Sequence, residues 1–274
     1  MITATDAGGP SEVEPERAIP AARLAGTPLL LLLDVDGTLA PIAPRPSLAR
    51  VPDETREVLT VLARHPRVRV VLVSGRAAHD ARRMVSVENV WTIGNHGAEI
   101  IDPNGIVTVD PSVARYAEPL RRAVQTLEPV LDQLDGVILE DKQWTLSIHY
   151  RLADDAVMPR LEALVAEAAE DAGLIVMAGK EVFEVRPPVN VDKGTAVRRV
   201  AEQLGAFGAE SSLLFAGDDR TDEDAFRMLR AELPRAITIH VGDNTNTAAE
   251  FTLATPARVH ALLERIARDI TRKQ

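Results

Sequence analysis

The stretch Leu29-Leu30-Leu31-Leu32-Leu33-Asp34-Val35-Asp36-Gly37-Thr38-Leu39 decides the fold. An uninterrupted apolar run of this length is typical of a strand buried on both faces in the middle of a parallel sheet. The run stops at two carboxylates, a glycine that permits a sharp turn, and a hydroxyl. Alternation along the strand turns Asp34 and Asp36 to one side and Val35 into the core. Because open α/β sheets bind ligands at the carboxyl ends of their strands, we expect a site at this edge.

Composition excludes several classes of protein. The chain has 274 residues, 46% of them hydrophobic, which allows one large or two modest domains. Its net charge of −10, without a Lys/Arg-rich tract, argues against nucleic acid as a partner. Without cysteine, the chain forms neither disulfides nor thiolate metal sites.

No targeting segment is visible in the sequence. Residues 1–26 lack the apolar segment of a signal peptide, so they are predicted to be a flexible leader. Leu29–Leu33 is too short to cross a bilayer, which needs about 20 residues. We therefore expect a soluble, cytoplasmic protein that needs neither a membrane nor an oligomer.

Apolar runs alternate with helical patterns in two separate parts of the chain. Strands are predicted at residues 29–33, 68–73, 90–93, 98–101, 212–216 and 236–241. This alternation predicts an α/β fold with a doubly wound parallel sheet, formed by residues 27–106 and 188–274. Residues 107–187 instead read as helix, two strands, helix, two strands, with the helices at 111–134 and 154–172. They predict an inserted α+β cap domain.

Two further motifs end predicted strands. Ser74-Gly75-Arg76 offers a hydroxyl and a glycine amide, neutral donors suited to a phosphoryl group, although Ser74 could equally be a helix N-cap. In Gly94-Asn95-His96-Gly97, the glycines let the backbone approach a ligand that Asn95 and His96 would contact. A solvated histidine in a glycine-flanked loop fits that second pattern as well.

The segment Gly217-Asp218-Asp219-Arg220-Thr221-Asp222-Glu223-Asp224 predicts a metal site, because hard cations such as Mg²⁺ prefer oxygen ligands. We predict Mg²⁺ bound by Asp34, the backbone carbonyl of Asp36, and Asp218. A helix dipole would explain Asp222–Asp224 without a metal, but would leave Asp218 and its neighbour crowded.

Lys193 stands alone at the start of a predicted helix, where its charge opposes the helix dipole. A phosphate together with Asp34 would explain it, whereas a surface lysine is the ordinary alternative.

The order of these motifs resembles that of the haloacid dehalogenase superfamily phosphatases, and residues 107–187 resemble their C2-type cap. Cap sequences narrow the resemblance to the trehalose-6-phosphate phosphatases, over about residues 28 to 270. The segments that carry it are Leu139–Lys142, His149–Arg151, Gly179–Pro187 and Gly217–Phe226.

The resemblance implies a role for each candidate residue. Asp34 is the expected nucleophile and forms an aspartyl-phosphate, Asp36 is the general acid and base, and Lys193 is the catalytic cation. Candidate contacts to the phosphate and its surroundings are Thr38, Ser74, Gly75, Arg76, Asn95 and His96. Candidate sugar contacts are Glu140, Lys142, His149, Arg151, Lys180 and Glu184, which on a solvent-facing sheet would instead be cross-strand ion pairs.

The activity that the resemblance implies is Mg²⁺-dependent hydrolysis of trehalose 6-phosphate, the last step of trehalose biosynthesis. Two alternatives remain open. One is a related phosphatase that acts on sucrose phosphate or mannosyl-phosphoglycerate. The other is a non-catalytic sugar-phosphate sensor, against which the retention of Asp34 and Asp36 argues.

Overall fold

The computed structural model describes residues 18–179, 181–244 and 246–272, which form two sheets with helices packed on them. The first elements are β1 (Leu29–Asp34), α1 (Asp53–Arg64), β2 (Val68–Val73), α2 (Ala78–Val85), β3 (Trp91–Gly94), β4 (Glu99–Ile101) and β5 (Val107–Val109). The middle ones are α3 (Pro111–Ala114), α4 (Ala117–Leu131), β6 (Ile138–Asp141), β7 (Leu146–His149), α5 (Met158–Asp171), β8 (Ile175–Ala178) and β9 (Val182–Arg186). The last are α6 (Lys193–Gln203), β10 (Ser212–Gly217), α7 (Asp222–Glu232), β11 (Ile237–Val241), β12 (Phe251–Leu253) and α8 (Pro256–Thr271).

The larger sheet has eight strands in the order β12-β11-β10-β1-β2-β3-β4-β5. Its strands are parallel from β12 to β3, and β4 and β5 add an antiparallel edge. All six residues of β1 are buried, as is Val35. The prediction of a doubly wound α/β fold is confirmed, and β1 lies at its centre.

The leucines of β1 alternate between two cores. Leu29, Leu31 and Leu33 pack with the apolar residues of α1 and α8, whereas Leu30 and Leu32 pack with those of α6 and α7. Each fully buried leucine contributes roughly 1.5–3 kcal/mol to folding. This burial on both faces fixes the end of β1, and therefore the acids that follow it.

The cap is a separate four-stranded antiparallel sheet in the order β6-β7-β9-β8. Leu146, Ile148 and Val185 point to one face and pack against α4 and α5. The alternate residues of the same strands, among them Ser147 and Glu184, form a polar face. That polar face covers the carboxyl end of the larger sheet.

The boundaries of the cap and of the leader differ from the prediction. Val107–Val109, assigned to the cap from the sequence, pair with β4 and form the edge of the larger sheet. Residues 18–26 of the predicted leader pack on the core, because Ile19 and Leu24 are buried and Arg23 pairs with Glu250. Residues 1–17 lie outside the described part of the chain.

Three other features of the fold go beyond the prediction. The helix predicted at 111–134 is divided into α3 and α4, and β12 and α8 were not predicted. Val259, Leu262 and Ile266 place α8 in the core cluster that also contains residues of α1. Among the helices of the described residues, none has the length and apolarity to cross a membrane.

Candidate active site

Asp34 ends β1 between its two parallel neighbours and is only 4% exposed. Its Oδ1 accepts a hydrogen bond of 2.8 Å from Lys193 Nζ. Burial raises the pKa of Asp34 well above its usual range; Lys193 counteracts the rise, and Asp218 and Asp219 add to it. Asp34 is therefore a carboxylate held out of water beside a single cation.

Lys193 is the first residue of α6 and one of the largest fully buried side chains among the described residues. Its Nζ donates to Asp34 Oδ1 and Asp222 Oδ1, each at 2.8 Å, and lies 3.7 Å from Asp219 Oδ1. Burial alone would lower its pKa, but these three acids raise it well above the usual value. The lysine is therefore charged, and the interpretation as a surface lysine is wrong.

Asp34, Asp218 and Asp222 form a group of carboxylates in which one oxygen of each lies within 4.8 Å of the others. Burial raises the pKa of Asp218 to about 7, and repulsion from Asp222 and Asp219 adds to the rise. Burial also raises the pKa of Asp222. These acids carry more negative charge than Lys193 can balance, and all their donor atoms are oxygen. The set therefore fits a hard divalent cation such as Mg²⁺.

Asp222 is the site residue that sequence reasoning missed, since it was attributed to the helix dipole alone. Its Oδ2 accepts from the backbone N–H groups of Asp218 and Asp219 at 3.1 Å, while Asp219 Oδ1 accepts from the Asp222 N–H. The two aspartates thus bond reciprocally across the turn that precedes α7, whose N-cap Thr221 forms no side-chain capping bond. The spacing of three residues between Asp219 and Asp222 is the sequence signal that could have identified it.

Gly37 allows the two acidic segments to approach each other. Its φ is +82°, and a Cβ on it would overlap the Asp218 carboxylate. Any L side chain at this position would be strained and would also push Asp218 away from Asp34.

The Asp36 carboxylate lies outside the metal-binding group. It forms a bidentate pair with Arg76, whose Nε and Nη2 donate to the two carboxylate oxygens at 2.6 and 2.7 Å. Such a pair fixes both side chains in one plane. The sequence prediction used the backbone carbonyl of Asp36 as the metal ligand, and that remains a prediction.

A cavity of about 290 Å³ lies between this acidic edge and the polar face of the cap. The predicted residues that line it from the larger sheet are Asp34, Asp36, Gly75, Arg76, His96 and Lys193. Those that line it from the cap are Glu140, Lys142, His149, Arg151 and Glu184. The structure thus brings most of the predicted site together in one cavity.

Four predicted residues do not line the cavity, and one cannot be placed. Ser74 is buried, and its Oγ accepts from the Arg76 N–H, which is a turn contact. Thr38 is fully buried, and its hydroxyl has no hydrogen-bond partner in the described part of the chain. Asp218 belongs to the carboxylate group beside Asp34 but does not line the cavity, and Lys180 lies outside the described residues.

Asn95 is the fourth predicted residue that does not line the cavity. It is buried, and its amide group is bonded to the protein: Nδ2 donates to Glu99 Oε1 and to the Lys142 carbonyl, and Oδ1 accepts from Thr145 Oγ1. The structure therefore does not place it as a substrate contact. Its neighbour His96 does line the cavity, and burial together with Lys193 and Lys142 lowers its pKa, so its ring is neutral.

The cap residues of the cavity combine cross-strand pairs with free hydrogen-bonding capacity. His149 Nε2 lies 2.9 Å from Glu140 Oε2, and Ser147 Oγ donates to Glu184 Oε1 at 2.6 Å. Glu184 Oε2 is buried without a partner among the described residues. An unsatisfied buried acceptor is costly, so a ligand hydroxyl at this place would be favoured.

A second cavity, of about 750 Å³, adjoins the first and shares Arg45, Arg76 and Glu140 with it. Arg50, Arg56 and Arg83 also line it, against the acids Asp80 and Glu140. This excess of guanidinium groups on an acidic chain makes the approach to the site attractive to anions.

We expect Asp218→Asn to have opposite effects on stability without and with Mg²⁺. Because burial and neighbouring acids disfavour the charged form of Asp218, the variant in chelator at pH 8 should melt at or above the temperature of the wild type. With Mg²⁺ the order should reverse, since loss of a carboxylate ligand should weaken Mg²⁺ binding by about tenfold or more. Thermal melting across a Mg²⁺ titration measures both effects.

The matched control is Asp224→Asn, a half-exposed acid of the same segment that pairs with Arg227. It should leave the Mg²⁺ response unchanged. An equal response in all three proteins would exclude Asp218 as a ligand.

Comparisons with known proteins identify the family of the chain. The model of the trehalose-phosphatase family matches residues 32–257. The trehalose-phosphate phosphatase of Mycobacterium avium is 34% identical over 254 residues, which are 91% of this chain and 64% of that protein. The chain spans 64% of the length of that relative. It spans 19% of the length of a second relative, an uncharacterized glycosyl hydrolase of Mycobacterium tuberculosis, which is 35% identical over 253 residues, or 90% of this chain.

Two solved structures are similar to this fold. A trehalose-6-phosphate phosphatase related protein superposes with a TM-score of 0.78 at 26% identity, covering 89% of this chain and 100% of that one. A haloacid dehalogenase-like hydrolase from Bacteroides thetaiotaomicron has a TM-score of 0.58 at 17% identity, covering 88% and 99%. The second likeness concerns the fold alone.

Proposed function

Because the chain belongs to the trehalose-phosphatase family, we propose that it hydrolyses trehalose 6-phosphate to trehalose and inorganic phosphate. The main support is one cavity in which Asp34 and Lys193 face the sugar-type donors and acceptors of the cap. A phosphate would lie at the carboxyl end of β1, and its sugar would extend toward the cap sheet.

Asp34 attacks phosphorus in line and forms an aspartyl-phosphate as the sugar oxygen departs. Asp36 protonates that oxygen, and then takes a proton from the water that hydrolyses the aspartyl-phosphate. The bidentate ion pair with Arg76 fixes the Asp36 carboxylate at the edge of the cavity. A phosphate in the cavity would compete with Asp36 for the same guanidinium, and would thereby release the Asp36 side chain toward the sugar oxygen.

Phosphoryl transfer depends mainly on positioning and on neutralising charge. Lys193 holds the Asp34 carboxylate in place and offsets the charge of the phosphoryl oxygens. The backbone amide of Gly75, which lines the cavity, is a further donor to them, and the buried Thr38 hydroxyl, without a partner among the described residues, is a candidate donor outside the cavity lining. Mg²⁺, bound by Asp34, Asp218 and the Asp36 carbonyl, would supply the remaining positive charge.

Three finer points belong to the same proposal. The cation is Mg²⁺, which the all-oxygen donor set supports. The location is the cytoplasm, in agreement with a chain without cysteine. The protein acts on its small-molecule substrate without nucleic acid, a membrane or an oligomer as partner. The net charge of −10 supports the absence of a nucleic-acid partner.

The sugar contacts are tested by Glu184→Gln. The unpartnered Glu184 Oε2 would accept a sugar hydroxyl, so we expect KM for trehalose 6-phosphate to rise about tenfold with a smaller change in kcat. Glu167→Gln, an exposed glutamate on the far side of the cap, is the control and should change neither constant. A Glu184→Gln enzyme with unchanged KM would remove this residue from the sugar site.

Phosphate release from a panel of substrates tests the function itself. We expect trehalose 6-phosphate to be hydrolysed faster than sucrose 6-phosphate, mannosyl-3-phosphoglycerate or glucose 6-phosphate, and a chelator to stop the reaction. A preference for another sugar phosphate would identify a related phosphatase. No release from any of them would favour a sugar-phosphate sensor.

A further inference from the structure

A buried network joins the loop after β3 to the tip of the β6–β7 hairpin of the cap. Asn95 donates to the Lys142 carbonyl at 3.0 Å and accepts from Thr145 Oγ1 at 2.9 Å. Asn95 and Thr145 are each 2% exposed. Because these bonds are shielded from water, losing either partner leaves a buried polar group unsatisfied.

The core side of this network is fixed in turn. Glu99 Oε1 accepts from Asn95 Nδ2 at 2.7 Å and from the Ala78 N–H, at the start of α2, at 2.8 Å. Asn95 itself has a φ of +49°, in the left-handed region that only a few side chains tolerate. The contacts of Asn95 with Glu99 in the core therefore help to fix the orientation of the amide that the cap hairpin contacts.

The cap residue that this network holds is Lys142. Its carbonyl accepts from Asn95, and its N–H donates to the Thr145 carbonyl at 3.0 Å. Its Nζ reaches back to the core and donates to the Gly75 carbonyl at 3.2 Å, with Glu184 Oε1 at 3.4 Å. Lys142 is thus a cap residue whose main chain and side chain are both anchored to the larger sheet.

We propose that Asn95 and Thr145 are positioning residues that hold Lys142 at a fixed place over the catalytic cavity, so that recognition of the sugar depends on this core-to-cap contact. The proposal rests on the proposed function, because the group positioned is a sugar contact of that site. It differs from a purely structural role. A structural contact would affect all substrates alike, whereas a positioned Lys142 matters only for substrates that carry the sugar.

The decisive variant is Thr145→Val, which removes one hydroxyl and keeps the shape of the side chain. We expect KM for trehalose 6-phosphate to rise about fivefold or more, while kcat/KM for p-nitrophenyl phosphate, which has no sugar, stays within about twofold of the wild type. Asn95→Ala should raise KM for trehalose 6-phosphate even more. It also removes the hydrogen bond that Asn95 donates to Glu99 Oε1. If Asn95→Ala folds poorly, Thr145→Val, which removes only one hydroxyl, still tests the proposal.

Thr92→Val is the matched control. Thr92 is a fully buried threonine of β3 whose hydroxyl has no hydrogen-bond partner among the described residues. The same chemical change there should leave both substrates unaffected.

Lys142→Met then shows whether Thr145 acts through Lys142. In that background, Thr145→Val should add no further rise in KM, because the group that it positions is gone. Equal losses for both substrates, additive effects of the two changes, or no effect of Thr145→Val would each overturn the proposal.

Hydrogen exchange separates this proposal from the proposed function. If the wild type hydrolyses p-nitrophenyl phosphate but not trehalose 6-phosphate, the proposed function fails. The positioning of Lys142 is then decided by amide exchange at residues 142–145. Faster exchange in Thr145→Val than in Thr92→Val supports it, and equal exchange overturns it.

Discussion

Asp34→Asn is expected to reduce phosphate release by about 10⁴-fold or more, because an amide cannot replace the carboxylate as the nucleophile that attacks phosphorus. The fold should persist. Asparagine has the shape of aspartate, and Lys193 keeps its 2.8 Å contact with Asp222. Initial rates with trehalose 6-phosphate and a thermal melt measure the two properties together.

The stability of this variant is informative in itself. Burial, with further repulsion from Asp218 and Asp219, raises the pKa of Asp34, so its charged form is disfavoured in the folded protein. In chelator at pH 8, the asparagine variant should therefore melt at or above the temperature of the wild type. Asp53→Asn, at an exposed acid of α1, is the control and should change neither rate nor melting. An Asp34→Asn protein that keeps a tenth of the activity or more would exclude Asp34 as the nucleophile.

Lys193→Met is expected to damage both activity and stability. Removal of one partner from a buried ion pair costs roughly 3–5 kcal/mol, because the remaining charges stay buried and unpaired. In the wild type, Lys193 forms ion pairs with both Asp34 and Asp222. We expect a large fall in melting temperature in chelator and no measurable turnover with Mg²⁺. Arg198→Met, on the exposed side of the same helix, is the control.

The pH dependence of the stability of Lys193→Met tests whether the buried acids cause the loss of stability. Asp34 and Asp222 have pKa values raised by burial, and they lose their nearest cation in the variant. The folded state then binds protons that the unfolded state does not, so stability in chelator should increase as pH falls from 8 toward 5. The raised pKa of Lys193 keeps its own stabilising charge present throughout this range. A deficit relative to the wild type that does not shrink on acidification would show that the acids are not the source of the loss.

The local sequence was sufficient for the elements that carry the chemistry. β1 could be predicted because a run of five leucines that stops at acids and a glycine is typical of a strand buried on both faces, and the alternation of strands and helices then indicated the sheet. α8 was missed although Val259, Leu262, Leu263 and Ile266 have the same helical spacing as the apolar residues of α1. It bears no site residue, so only its periodicity could have revealed it.

The features that escaped prediction depend on distant parts of the chain. Asn95 was assigned to the substrate, but its partners Lys142 and Thr145 are 47 and 50 residues away, in the cap. No local pattern encodes that contact. Val107–Val109 were placed in the cap because a strand after a turn does not reveal which sheet it joins. Asp222 is the exception, since its spacing of three residues from Asp219, across which the two aspartates bond to each other, was visible in the sequence.

Trapping of the covalent intermediate tests the central claim most directly. An aspartyl-phosphate is an acyl phosphate, which borohydride reduces, so the modified aspartate becomes homoserine and can be located by peptide mass spectrometry. With trehalose 6-phosphate and Mg²⁺ present, we expect homoserine at position 34, and none when the sugar phosphate is omitted. Active turnover with homoserine at another position, or with an unmodified Asp34, would contradict a mechanism through this carboxylate.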